Sequence, residues 1–166
     1  MFHGKGSTII GEDGHVLPEV IEAQKNGIIF DAANGNSNFG FKTAIAALND
    51  GFKPDIISTD IGLKTDYKLP RVFSLPFVMS KYLVLGMSIK DIIERVTTTP
   101  AGYLDMEKEI GSLTVGTCAD VAIHRIIDKK RVFEDALNDT REGSQLFKTE
   151  MTIRDGVVVY RQIDFS

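Results

Sequence analysis

The segment Pro54-Asp55-Ile56-Ile57-Ser58-Thr59-Asp60 carries the most legible chemistry in this chain. An apolar strand core, Ile56-Ile57, runs straight into Ser58 and Thr59 and ends on the carboxylate of Asp60. In βα architectures the carboxyl ends of parallel strands form the active-site face, so an acid placed there reads as catalytic. The competing assignment is a cap, because Asp also opens helices and turns by accepting backbone N–H groups. A second candidate is the polar run Asn34-Gly35-Asn36-Ser37-Asn38. It follows another apolar stretch, and loops at strand ends commonly bind substrate polar groups. A plain turn-rich connection is its alternative. Asp60 is therefore the candidate catalytic residue, with Asn34, Gly35, Ser37 and Asn38 as candidate substrate-binding residues.

Regular elements must bring these two segments together. Val16 to Asn26 has helical spacing and stops at Asn26-Gly27. Ile28-Ile29-Phe30-Asp31-Ala32 reads as a short buried strand from its apolar run. Phe41 to Leu48 resumes helical spacing, and the strand Asp55 to Ser58 follows. Strand, loop, helix and strand at short spacing predict a parallel βαβ unit with both faces covered. Beyond Asp60, the stretch from Ile61 to Val72 reads as a loop, then Leu75 to Leu85 as a helix closed by Gly86. Ser88 caps the next helix, with Asp91 three residues on, and Ile89, Ile92, Ile93 and Val96 form its apolar stripe. Thr99-Pro100 opens a further short helix with Pro100 at its first position. After Gly111 the chain turns β-rich, over Ala119 to Ile126 and Glu150 to Arg161, with Asp155-Gly156 marking a hairpin.

Composition narrows the class. A chain of 166 residues, 43% hydrophobic and 25% charged, has enough apolar material for an ordinary folded core. A net charge of −4 without a Lys/Arg run argues against a nucleic-acid surface. The single cysteine, Cys118, excludes a disulfide framework and reads as a small packed residue. No apolar run reaches the roughly 18 residues of a membrane span, so a soluble, cytoplasmic protein is expected. Gly4-Lys5-Gly6-Ser7 lacks the spacing of a phosphate-binding loop, with no apolar strand before it. Lys64 and Lys68 could steer an anionic substrate, although a solvated loop explains them as well.

Three segments in order then resemble one family. They are Ser58-Thr59-Asp60 at a strand end, Val96-Thr97-Thr98-Thr99-Pro100-Ala101, and Gly111-Ser112-Leu113-Thr114-Val115-Gly116-Thr117-Cys118-Ala119-Asp120. The last matches the pattern G-x-L-x-x-G-x-x-A-D. Together they are similar to the C-terminal part of the metal-dependent amidohydrolase superfamily, and specifically to its dihydroorotase-like deacetylase branch. The resemblance implies an α/β fold: the last units of a (β/α)8, TIM-type barrel over residues 1–110, then strands of a small β-sandwich over 111–166. It implies hydrolysis of C–N bonds in a small-molecule amide or acyl substrate. It also gives Asp60 two roles, as a metal ligand and as the acid/base that moves a proton from water to the leaving amine. In such enzymes zinc activates the water and polarises the carbonyl.

The same resemblance exposes a deficit. The superfamily adds a His-x-His pair, a bridging carboxylated Lys or acid, and two further His. This chain has only His3, His15 and His124, in no such spacing. Where relatives often read Gly-His-Gly, it reads Ala33-Asn34-Gly35. One carboxylate cannot hold a catalytic zinc, which usually takes three protein ligands. The expectation is a fragment inactive by itself, either a homo-oligomer or completed by a complementing N-terminal half. The alternative is a non-catalytic half-barrel that serves as an interaction module.

Overall fold

The structure, a computed structural model, describes residues 1–3, 8–62 and 71–163. Gly4-Lys5-Gly6-Ser7, Lys64 and Lys68 lie outside the described residues. The chain is mixed α/β. Helix α1 (Pro18–Lys25), strand β1 (Asp31–Ala33), helix α2 (Phe41–Asn49) and strand β2 (Ile56–Ser58) come first. Helices α3 (Leu75–Val84), α4 (Ile89–Val96) and α5 (Thr98–Tyr103) follow, then strands β3 (Val121–Glu134), β4 (Thr140–Arg154) and β5 (Val157–Arg161).

Strands β1 and β2 pair in parallel, with Asp31 opposite Ile56 and Ala33 opposite Ser58. Alternation along both strands sends Ala32 and Ile57 into the core and leaves Asp31 exposed on the other face. Behind them lies an aromatic cluster. Phe39 packs edge-on against Phe2, Phe41 and Tyr82, with ring centroids 6.1, 5.2 and 6.0 Å apart. Its four rings come from the chain start, the loop after β1, α2 and α3.

The second sheet is antiparallel, in the order β3-β4-β5. Asp155 and Gly156 both take positive φ, 49° and 74°, as a two-residue hairpin turn requires. The Gly111–Asp120 segment serves this sheet. A Cβ on Gly111 would stand 2.7 Å from Ala101 Cβ and 2.9 Å from the Thr97 carbonyl oxygen, so only glycine lets the chain pass α5. At its other end Asp120 Oδ1 accepts the Asp155 N–H at 2.7 Å, tying the motif to the β4–β5 turn. Helix α3 joins the two sheets: Ser80 Oγ accepts the Phe147 N–H at 2.9 Å, and Gly143 leaves room for Val84.

Several expectations need correction. The apolar run Ile28-Ile29-Phe30 is not the strand; β1 begins only at Asp31, and Ile28 and Ile29 are 57% and 41% exposed. The Ile28 N–H instead closes α1 by donating to the Ala23 carbonyl. Pro100 is the third residue of α5 rather than its first. Cys118 is exposed, not packed. The hairpin also extends well beyond the expected β-rich segments. Residues 127–149 hold much of β3 and β4, whose outward positions are charged and hide the strand pattern.

Candidate functional site

The carboxyl ends of β1 and β2 lie side by side because the strands are parallel. The pairing continues into the loops. The Asn34 N–H donates to the Ser58 carbonyl at 3.2 Å, and the Gly35 N–H to the Thr59 carbonyl at 2.9 Å. Both chains then enter left-handed conformations, Gly35 at φ 48° and Asp60 at φ 50°. For a non-glycine residue this conformation costs about 1–2 kcal/mol, so contacts must over-determine it. Those contacts are on Asp60. Its Oδ2 accepts from Asn38 Nδ2 at 2.6 Å, and a Cβ on Gly35 would stand 2.5 Å from that same oxygen. Gly35 is thus glycine for two reasons, its backbone angle and its contact with the carboxylate.

Of the five candidate residues, Gly35, Asn38 and Asp60 come together directly. Ser37 is exposed and donates to Asn38 Oδ1 at 3.2 Å, which orients the Asn38 amide toward Asp60. Asn34 differs, being fully buried with its side chain turned inward. Its Nδ2 donates to the Ala32 carbonyl at 3.1 Å and, more weakly, to Ser58. On the open face of the strands Ser58 Oγ donates to Asp31 Oδ2 at 2.8 Å, one pleat below Asp60. Asp60 itself is solvent-exposed, with one acceptor oxygen held by an amide. A carboxylate so placed can accept a proton or a cation from the solvent side.

Sequence reasoning missed the residues beneath this surface. Lys81 is 1% exposed on α3, and burial pushes its amine down to about 8. Asp135 and Glu134 oppose that shift, whereas the Arg71 charge adds to it. Tyr82 is fully buried, which raises its phenol, and its hydroxyl donates to the Ala32 carbonyl at 3.4 Å. Asp135 is 1% exposed and accepts three backbone N–H groups: Phe41 at 2.8 Å, Leu137 at 2.7 Å and Asp139 at 2.9 Å. One signal for Lys81 was available, a lone charged residue inside the mostly apolar helix Leu75–Val84. His15 lies exposed beside Asp50, and His124 sits half-buried in β3 against Phe147.

The chain thus combines a parallel strand pair, with an acid held at its carboxyl end, and an antiparallel hairpin sheet in one mixed α/β structure. The chain belongs to the amidohydrolase family, whose model matches residues 2–159. It is 30% identical to a deacetylase of Enterococcus faecalis over 158 residues, covering 95% of this chain and 42% of that protein. It is 31% identical to a deacetylase of Brucella anthropi, covering 92% of this chain and 37% of that protein. Among solved structures, an adenine deaminase superposes with a TM-score of 0.90 at 30% identity, over 97% of this chain and 43% of that one. A dihydroorotase superposes with a TM-score of 0.81 at 28% identity, over 95% and 41%. The chain spans about two fifths of the length of these relatives.

Amidohydrolases are generally metal-dependent, and Asp60 is the candidate ligand here. Among the described residues no group of three His, Cys, Asp or Glu side chains comes together. Among the described residues Asp60 meets the Asn38 amide and Gly35, neither of which completes a zinc centre. The described residues alone therefore do not fit zinc. No helix among them is long and apolar enough to cross a membrane.

Proposed function

We propose that this chain forms part of a cytoplasmic, zinc-dependent amidohydrolase that cleaves C–N bonds in a small-molecule amide or acyl substrate. In this reading its two units are the last βα units of a TIM-type barrel and strands of a composite β-sandwich. Asp60 is the acid/base of the reaction. Its carboxylate takes a proton from the attacking water and returns it to the departing nitrogen, a role that contributes about 10²- to 10⁴-fold. Asn38 holds one carboxylate oxygen, while Gly35 brings the loop backbone close to it. Ser37 and Asn38 present polar groups to the substrate, and Asn34 supports the loop from below. The observation that carries this reading is the Asp60–Asn38–Gly35 contact at the paired strand ends.

The remaining metal ligands come from polypeptide outside these 166 residues, so the chain alone is inactive. Completion by that polypeptide, or by further copies of the chain, covers surfaces that stand open. Ile28 and Ile29 flank the two-stranded sheet, and Val157, Val158 and Val159 are each more than half exposed on β5. Calorimetric zinc titration provides the test. The chain alone should show no tight stoichiometric binding. When joined to the N-terminal three fifths of a deacetylase relative, it should bind zinc and release acyl groups. In that assembly Asp60→Asn should slow turnover by about 100-fold or more. Turnover unchanged by Asp60→Asn would refute the acid/base role. Tight zinc binding by the isolated chain would refute the claim that its site is incomplete.

A further inference from the structure

The loop that touches Asp60 is held from behind by two cations that no catalytic step requires. Lys81 Nζ donates to three carbonyl oxygens in three separate parts of the chain. These are Asn34 Oδ1 at 3.5 Å, the Glu134 carbonyl at 3.1 Å and the Arg71 carbonyl. It also lies over the Phe39 ring, 5.1 Å from its centroid. Arg71 repeats the pattern from the surface side. Its Nε pairs with Glu134 Oε1 at 2.9 Å, one terminal nitrogen donates to the Asn36 carbonyl at 3.2 Å, and the other to Asn138 Oδ1. Backbone bonds close the same seam, since the Ala136 N–H donates to the Phe39 carbonyl at 2.9 Å and Asp135 accepts from Phe41.

We infer that Lys81 is a positioning residue for the candidate site: with Arg71 it clasps the Asn34–Asn38 loop to the β3–β4 hairpin tip, and so fixes where Gly35 and Asn38 hold Asp60. The assignment of a function to that position rests on the amidohydrolase reading of Asp60. A packing role alone does not call for a charge there. Burying an ammonium carries a desolvation penalty that a methionine of similar length would avoid. None of its three acceptors is a carboxylate, so the ammonium holds carbonyl groups in place rather than neutralising an acid. Three donors meet three acceptors, one from each segment that must stay in register.

The test uses the ¹⁵N-labelled chain and two amide reporters. Gly35 N–H, bonded to Thr59, reports the site loop, and Gly156 N–H, bonded to Ala119, reports the distant hairpin turn. Lys81→Met should speed solvent exchange at Gly35 on the order of tenfold or more and move the Asn38 side-chain amide signals. Gly156 should keep its wild-type exchange. Gly35 unchanged, or rising only in step with Gly156, overturns the clasp, because a merely structural role lowers protection everywhere.

If Lys81→Met does not fold, the wild-type chain decides. The charged groups facing Lys81 are Asp135 and Glu134 from the hairpin and Arg71 before α3, and with burial they leave its amine at about 8. Loss of the proton leaves two donors for three acceptors, and the longest bond, to Asn34, goes first. The Asn34 side-chain amide should then shift with a midpoint near that of the Lys81 amine. An Asn34 signal that stays flat through this titration overturns the clasp. Neither readout involves turnover. A moved loop in an assembly that hydrolyses nothing would indict the functional reading, and an unmoved loop would indict the clasp.

Discussion

The two sheets divide the work unequally. The β1–β2 pair is three residues long on each strand, yet it concentrates positive φ, a buried amide and an exposed carboxylate at one end. The β3–β4–β5 sheet is built from strands of 14, 15 and 5 residues and has positive-φ residues at its turns, Asn138, Asp155 and Gly156. Its contribution lies at the hairpin tip, where Glu134 and Asn138 accept from Lys81 and Arg71, which in turn hold the loop that leaves β1, and Asp135 accepts from Phe41 at the start of α2. The loop that holds Gly35 and Asn38 is itself braced by Lys81 and Arg71 against the long hairpin. The long hairpin supplies the leverage from outside.

Removing the joint should have the largest effect. Asp135→Ala leaves three backbone donors without their charged acceptor, one of them at the start of α2. We expect a loss of about 3 kcal/mol in urea unfolding, because hydrogen bonds to charged groups are worth more than neutral ones and orphaned donors add a penalty. A loss below about 1 kcal/mol would mean that the two sheets fold without leaning on each other. Gly35→Ala is smaller and more local. The left-handed φ costs about 1–2 kcal/mol, and the new methyl pushes the Asp60 carboxylate off Asn38. Unfolding measures the first effect, and the Asn38 amide resonance reads the second. An unmoved resonance would show that the loop, not the carboxylate, yields.

The smallest effect separates a peripheral contact from both sheets. His15 Nδ1 stands 2.9 Å from Asp50 Oδ1, and Asp50 Oδ2 accepts the Val16 N–H at 2.7 Å. The hydrogen bond and charge of Asp50 raise the imidazole above its ordinary 6.5. The Val16 and His15 bonds lower the Asp50 carboxyl below 3.8. The raised histidine contributes stability below its unfolded value, which is lost as pH rises through the folded one. The lowered acid contributes above its unfolded value and loses that as pH falls. The pair is therefore complete between pH 3.8 and 6.5. Melting curves of wild type and His15→Ala should differ slightly in that window and converge as pH rises through the raised imidazole value. A constant difference at all pH values would assign the effect to packing instead.

Much of the helical framework was legible in the chain because its punctuation is local. The Ser88 side chain accepts the Asp91 N–H at 3.0 Å, and α2, α3 and α4 begin within a residue of their expected starts. The strand Ile56–Ser58 and the Asp155-Gly156 turn were likewise readable from an apolar pair and a turn dipeptide. Ile28 and Ile29 misled because an apolar run announces burial only if something covers it, and among the described residues nothing does so fully. Within the candidate site, Asp60 and the 34–38 segment could be nominated separately from residue type. Sequence could not say that Asn34 turns inward while Asn38 turns toward the acid.

By itself the sequence determined which segments are helical, where the chain turns, and that an acid ends an apolar strand. These follow from backbone sterics and hydrogen bonds closed within a few residues. Tertiary structure alone decided that Lys81, Arg71 and Asp135 meet the loop after β1. Their partners lie 35 to 94 residues away. No local preference selects among such distant carbonyl and amide groups. Only the packing of α3 between the two sheets buries Lys81, Asn34 and Asp135 together and makes each unmade bond there costly.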